Sequence, residues 1–393
     1  MSAAGREEVV IVDAVRTPMG RFQGRVSQYK APELGAHVIR ALKERSDLGA
    51  EDVDEVVMGC VLQAGLGQAP ARQAAVRGGL SPKVPALTIN KVCGSGLKAV
   101  ILAAQALQLG EARAVIAGGM ETMSHAPYLL LGARQGFRYG DQKLVDSMIH
   151  DGLWCAFEDQ HMGHAAEYTA RKSQISREDQ DRFAYESHRK ALRATEEGKF
   201  QNELIPLETK EGLLDRDETP RPDTSPEKLA QLRPVFQKDG TVTAGNAPGL
   251  NDGASALLLT TREEAERRGW EPLARVVGYA VAAVEPRDLF YAPVHSTRRL
   301  LEKLGMSISD FDLIEVNEAF AAQVLADGKE LEWDWERVNV NGGAIALGHP
   351  IGASGARILT TLVWALRDRD GEWGLATICM GGGMGISLAV RRL

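Results

Sequence analysis

The chain has 393 residues, 44% hydrophobic and 25% charged, with a formal charge of −7, a globular composition with room for two or three packed units and a large core. The acidic balance argues against a general polyanion-binding surface and so against nucleic acid, and no run approaches the roughly 18 apolar residues of a membrane span. Four cysteines, unevenly spaced and outside any C-x-x-C pattern, do not make a disulfide framework or a zinc knuckle and suit a reducing compartment.

The first residues, Met1-Ser2-Ala3-Ala4-Gly5-Arg6-Glu7-Glu8, lack a basic segment followed by an apolar stretch, which predicts a cytoplasmic protein. Residues 9–15 form a β-branched run suited to a buried strand, and 53–61 and 114–118 repeat the pattern. Between them, Ser95 is expected to cap a helix through Leu97, Val100, Ile101 and Leu107 that stops at Gly110. This alternation predicts an α/β fold with a mostly parallel sheet covered on both faces. Ser176 opens a long amphipathic helix reaching Glu197, read as a solvated helix with Gly198 after it. Thr219-Pro220-Arg221-Pro222-Asp223-Thr224-Ser225-Pro226 is turn-rich. Thr261-Arg262-Glu263-Glu264 reads as a capping box for a short helix closed by Gly269.

The chain also repeats itself. Asp54-Glu55-Val56-Val57 precedes Ser95-Gly96 by nearly the same distance as Asp312-Leu313-Ile314-Glu315 precedes Ser354-Gly355. Each Ser-Gly leads into an apolar helix and then a strand ending in glycines, Ala117-Gly118-Gly119-Met120 in one half and residues 379–384 in the other. A duplicated α/β domain explains this, with residues 121–249 as an insertion in the first copy.

The chemistry gathers in four segments, three of them glycine-rich, where a backbone without Cβ lets amides approach a reacting atom. Cys93 lies in Asn90-Lys91-Val92-Cys93-Gly94-Ser95-Gly96, just ahead of a helix whose positive end is expected to lower the thiol pKa and raise the thiolate fraction. Cys379 ends the matching strand in Cys379-Met380-Gly381-Gly382-Gly383. His349, in Gly348-His349-Pro350-Ile351-Gly352, is a poor helix or strand residue and is placed for function, while Asn317 follows an apolar strand in Asn317-Glu318-Ala319-Phe320. Together they read as a cysteine-based acyl-transfer site. Cys60 and Cys155 read as core or lining residues. His161 and His164 form an H-x-x-H pair without a signalled third ligand, so no metal is expected. No glycine run matches a nucleotide-binding fingerprint.

These residues resemble the thiolase family, in the acetyl-CoA acetyltransferase and 3-ketoacyl-CoA thiolase branch. Matching segments include Val12-Asp13-Ala14-Val15-Arg16-Thr17-Pro18, Gly118-Gly119-Met120-Glu121, Gly245-Asn246-Ala247, Asn251-Asp252-Gly253-Ala254 and Asn339-Val340-Asn341-Gly342-Gly343-Ala344, besides the four segments above, in family order along the chain. The resemblance implies duplicated thiolase-type βαβαβαββ halves forming a layered αβαβα core with an inserted loop domain: residues 1–120 plus 250–270, the loop domain 121–249, and 271–393. It implies a homotetramer, a dimer of tight dimers. It makes Cys93 the acyl-accepting nucleophile, His349 its activator, Cys379 the group exchanging a proton with Cα, and Asn317 the residue positioning a water. The backbone N–H groups of Cys93 and Gly381 become the oxyanion donors. His161, Met162, Arg221, Ala244 and Phe320 match positions lining a coenzyme A tunnel, with Arg221 near the nucleotide phosphates. Coenzyme A is then a substrate and product, with no covalently bound cofactor, and acyl-CoA the partner.

Two departures stand out. Asn246-Ala247-Pro248-Gly249 lacks the hydroxyl that acetyl-CoA-specific relatives carry near the pantetheine, and Leu289-Phe290-Tyr291-Ala292-Pro293 replaces their Met-Gly pair. The bulk of Phe290 and Tyr291 favours short acyl chains if the rings face the pocket, and leaves a broader 3-ketoacyl-CoA thiolase of fatty-acid β-oxidation open if they turn away. A ketoacyl synthase would have no use for Cys379, and a non-catalytic acyl-CoA or lipid carrier would not need both cysteines beside His349.

Overall fold

The computed structural model describes residues 7–393; residues 1–6, read above for a leader, lie outside the described residues. Nine main strands form one sheet: β1 (Val9–Arg16), β2 (Glu55–Gly59), β3 (Ala86–Ile89), β4 (Ala114–Thr122), β5 (Asn251–Thr261), β6 (Ala274–Ala283), β7 (Leu313–Val316), β8 (Trp373–Met380) and β9 (Met384–Arg392). Their order is β7-β8-β9-β6-β1-β5-β4-β2-β3, with Gly20–Arg21 pairing on β5 as a tenth strand. The sheet is not mostly parallel, as the alternation suggested. Only β2·β3, β2·β4 and β7·β8 run parallel, and the remaining ladders are antiparallel. The apolar runs reported burial on both faces, which here antiparallel strands share; all eight residues of β1 are buried.

The two halves repeat one pairing scheme. In the first, β2 runs parallel to β4, β4 antiparallel to β5, and β5 antiparallel to β1. In the second, β7, β8, β9 and β6 do the same. They meet at a short seam where β1 and β6 pair through Val10–Arg275 and Ile11–Ala274. Between the half-sheets lie α3 (Ser95–Gln108) and the long C-terminal helix Ile351–Asp368, which share one apolar core with strands of both halves. Their backbones cross in contact: a Cβ at Gly96 would lie 2.6 Å from Ala356 N, and one at Gly355 2.5 Å from Leu97 N. Outside the first half-sheet pack α1 (Ala31–Arg45) and α2 (Pro70–Arg77), and outside the second the helices Ala292–Leu304 and Ala321–Leu331, giving five layers.

Three local expectations change. Ser95 is the first helical residue rather than the cap; its Oγ accepts from Lys91 N–H at 2.8 Å and donates to Val92 O at 2.6 Å, closing the turn that carries Cys93. Thr261 caps the helix Arg262–Arg268 through Glu264 N–H, but the Glu264 carboxylate is held by Arg267 and Arg268, so the box is half formed. In the insertion, α4 (Met162–Lys172) is followed by α5 (Arg177–Glu196), capped by Ser176 as expected, with Gly198 at φ 71°. The helix is not simply solvated: Ala184, Ser187, His188, Ala191 and Ala194 are buried. Among the described residues no helix is long and apolar enough to cross a membrane.

Candidate active site

Cys93 sits in the turn before α3, half-buried. The preceding Val92 has φ 49°, a region β-branched residues rarely adopt, and Asn90 Oδ1 accepts its N–H at 2.9 Å. The helix terminus does not leave Cys93 a ready thiolate, contrary to expectation. Burial pushes its thiol up to about 12, and hydrogen bonds from the N–H groups of Gly381 and Cys93 itself lower it only in part. Those two amides nevertheless converge on the sulfur, the pair expected to form an oxyanion site.

His349 enters from the matching turn in the second half. Gly348 has φ 99°, and a Cβ there would lie 2.8 Å from the Asn251 side chain, whose Oδ1 accepts His349 N–H at 2.8 Å. Nδ1 lies 2.6 Å from Ser354 Oγ, and Nε2 lies 3.5 Å from Asn317 Nδ2. Burial, and secondarily the Arg357 charge, push its pKa down to about 3. Asn317 follows β7, fully buried, with its N–H donated to Thr377 O and its Oδ1 without a protein partner. Cys379 is 2% exposed, and its thiol is raised well above the ordinary range, chiefly by burial and then by Cys93 and Asp327.

Cys93, His349, Cys379 and Gly381 line one largely apolar cavity of about 470 Å³. His161, Met162, Ala244 and Phe320 line it too, with Phe236 stacked on His161 at 4.8 Å. Asn317 stands behind His349. Arg221 does not join the lining: it is exposed, and its N–H donates to His188 Nδ1 at 3.2 Å. Cys60 and Cys155 are buried and off the cavity wall. Leu289, Phe290 and Pro248 are on the wall, whereas Tyr291 faces away, its hydroxyl 2.6 Å from Ser173 Oγ.

Sequence reasoning missed the groups that hold these segments together. The Glu121 carboxylate, at the end of β4, accepts N–H groups from Val61, Leu62 and Gly352, tying the first half to the turn after His349. Burial, against those three bonds, raises it to about 7. Glu318 accepts from Ser187 Oγ, Asn339 Nδ2 and Ile345 N–H, fastening the Asn317 turn to α5. The signal available was a carboxylate closing an apolar run in each case.

Residues 9–263 match the family described as "Thiolase, N-terminal domain", and residues 270–392 match "Thiolase, C-terminal domain". The chain is 55% identical to an acetyl-CoA acetyltransferase of Pseudomonas aeruginosa over 391 residues, 98% of this chain and 100% of the relative. It is 52% identical to one of Chromobacterium violaceum, covering 98% and 100%, and 51% identical to one of Cupriavidus necator, covering 98% and 99%.

Proposed function

The chain belongs to the thiolase family, and from that premise we propose that it is an acetyl-CoA C-acetyltransferase, joining two acetyl-CoA into acetoacetyl-CoA and CoA and, in reverse, cleaving a 3-ketoacyl-CoA with CoA. The relatives that match nearly the whole chain carry that activity in their names. The observation that carries the reading is the cavity floor, where two thiols, an imidazole and the Gly381 backbone meet.

In the first half-reaction Cys93 Sγ attacks the thioester carbonyl while His349 Nε2 takes its proton. The C–S bond to CoA breaks, and the CoA thiolate takes the proton of the Cys379 thiol, leaving Cys379 as thiolate and His349 as imidazolium. The oxyanion formed on the way sits against Cys93 and Gly381 N–H, donors of a kind worth about 3 kcal/mol each. In the second, the Cys379 thiolate removes a proton from Cα of another acetyl-CoA, the carbanion attacks acetyl-Cys93 to form the C–C bond, and the expelled Cys93 thiolate takes its proton back from the His349 imidazolium. His349, with a water held by the unpartnered Asn317 Oδ1, steadies the enolate oxygen. Coenzyme A reaches the floor past His161, Met162, Ala244 and Phe320, with Arg221 further out toward its phosphates. The exposed apolar residues Tyr128, Leu130, Leu131, Phe137, Tyr139 and Leu144 of the insertion support assembly into a homotetramer.

Intact-protein mass spectrometry after mixing with acetyl-CoA tests this. One acetyl group should appear on the wild type and none on Cys93→Ala; an equal adduct on both, or none on either with CoA bound, would discard Cys93 as carrier.

A further inference from the structure

We propose that Ser354 is a positioning residue of the reaction, holding His349 in the tautomer with hydrogen on Nδ1 so that Nε2 presents a lone pair to Cys93. The proposal rests on the acyl-transfer reading above. Ser354 Oγ is 2.9 Å from Pro350 O and 2.6 Å from His349 Nδ1. A hydroxyl has one hydrogen to donate. Pro350 O, which caps the helix Ile351–Asp368 and also takes the N–H groups of Ala353 and Ser354, can only accept; with the Ser354 hydrogen directed there, the hydroxyl oxygen accepts from Nδ1–H. A second contact agrees: Nε2 faces the Asn317 amide nitrogen, a donor, at 3.5 Å. His349 is 7% exposed, which limits competition from bulk water. Ser354 is the counterpart, in the repeat, of Ser95, whose hydroxyl likewise donates back into its own turn, to Val92 O.

The consequence is chemical. When the Cys93 thiol proton moves to Nε2, the imidazolium keeps its Nδ1–H on Ser354, so positive charge develops with the partner already in place. No carboxylate accepts from Nδ1, so the resting imidazole stays neutral. Without the hydroxyl, hydrogen can shift to Nε2, where the ring no longer accepts a proton from sulfur but still donates to a carbonyl or enolate oxygen. Acylation of Cys93 should suffer more than proton exchange at Cα.

The test compares Ser354→Thr with Ser354→Val, which differ only by hydroxyl against methyl, alongside Ser354→Ala. The rate of Cys93 acetylation by acetyl-CoA is measured against pH by rapid-quench mass spectrometry, and exchange of the Cα hydrogens of acetyl-CoA with deuterated solvent in parallel. We expect at least tenfold slower acetylation for Val and Ala, recovery in Thr, and less than threefold change in exchange and in the KM for acetyl-CoA. Equal losses in Thr and Val, or an acetylation rate in Ala within twofold of the wild type, would overturn the role. ¹⁵N shifts of His349 in the wild type, assigned by their loss in His349→Asn, read the tautomer without any Ser354 variant; a proton found on Nε2 at neutral pH refutes the proposal even if every Ser354 variant misfolds. Absence of any acetylation in the wild type would instead remove the acyl-transfer reading itself.

Discussion

A thiol raised to about 12 beside an imidazole lowered to about 3 cannot rest as an ion pair. In the proposed mechanism, proton transfer from Cys93 to His349 therefore belongs to the bond-forming step, when negative charge leaves sulfur for the carbonyl oxygen and meets the amides of Cys93 and Gly381. The same burial ties His349 to stability. Its unfolded imidazole binds a proton near pH 6.5 and its folded one only near 3, so the wild type loses about 1.4 kcal/mol per pH unit from this group as pH falls through that window. His349→Asn removes the linkage. The stability of the variant relative to the wild type should therefore rise by about 2 kcal/mol between pH 7.5 and 5, as read from urea melts at both pH values. A constant difference would mean that His349 is not held neutral by its surroundings.

At the scale of elements, the segment Pro286–Tyr291 is clamped from two sides. Val284 N–H donates to Gly383 O at 2.7 Å, while Asp288 takes Lys172 Nζ at 2.6 Å and the Tyr168 hydroxyl at 3.1 Å from α4. Phe290 is thereby fixed on the cavity wall, 2% exposed and edge-on to Phe320 at 5.4 Å, while Tyr291 turns outward. A pinned ring does not yield to a longer acyl chain as a mobile one would. Phe290→Ala should raise kcat/KM for 3-ketooctanoyl-CoA relative to acetoacetyl-CoA at least tenfold, at a stability cost of about 3–5 kcal/mol for the lost ring, and Tyr291→Phe should leave the ratio unchanged. A ratio unmoved in Phe290→Ala would place the acyl chain elsewhere in the cavity.

For the whole molecule, duplication places the two turns of the candidate site. Cys93 precedes α3 and His349 precedes the helix Ile351–Asp368, and these two helices cross at Gly96 and Gly355 between the half-sheets. Glu121 then fastens Val61 and Leu62 of the first half to the turn after His349. The insertion carries apolar side chains that this chain alone leaves uncovered. Native mass spectrometry should find four chains of 42.5 kDa together, and the double variant Leu131→Asp, Tyr139→Asp should release smaller assemblies with the fold intact. A monomeric wild type would sink the assembly proposal.

The repeat, the buried strands, the Ser176 cap and the three glycine-rich segments were legible in residue order because each rests on local chemistry: a periodic apolar pattern, a side chain bonded within one turn, a backbone that needs no Cβ. Strand direction was not legible, since an apolar run reports coverage of both faces and not the sense of its neighbour. Nor was the state of Cys93. Its helix terminus is a local feature that lowers the thiol pKa, whereas the burial that outweighs it comes from segments far along the chain, among them Val61, Met123, Met148 and Ile351. The roles of Glu121, Glu318 and Ser354 belong to the same class: a carboxylate or hydroxyl in a sequence names a donor or acceptor, and only the tertiary structure decides which buried amide or ring it meets, because the cost of leaving such a group unpaired is met by partners the fold brings from elsewhere.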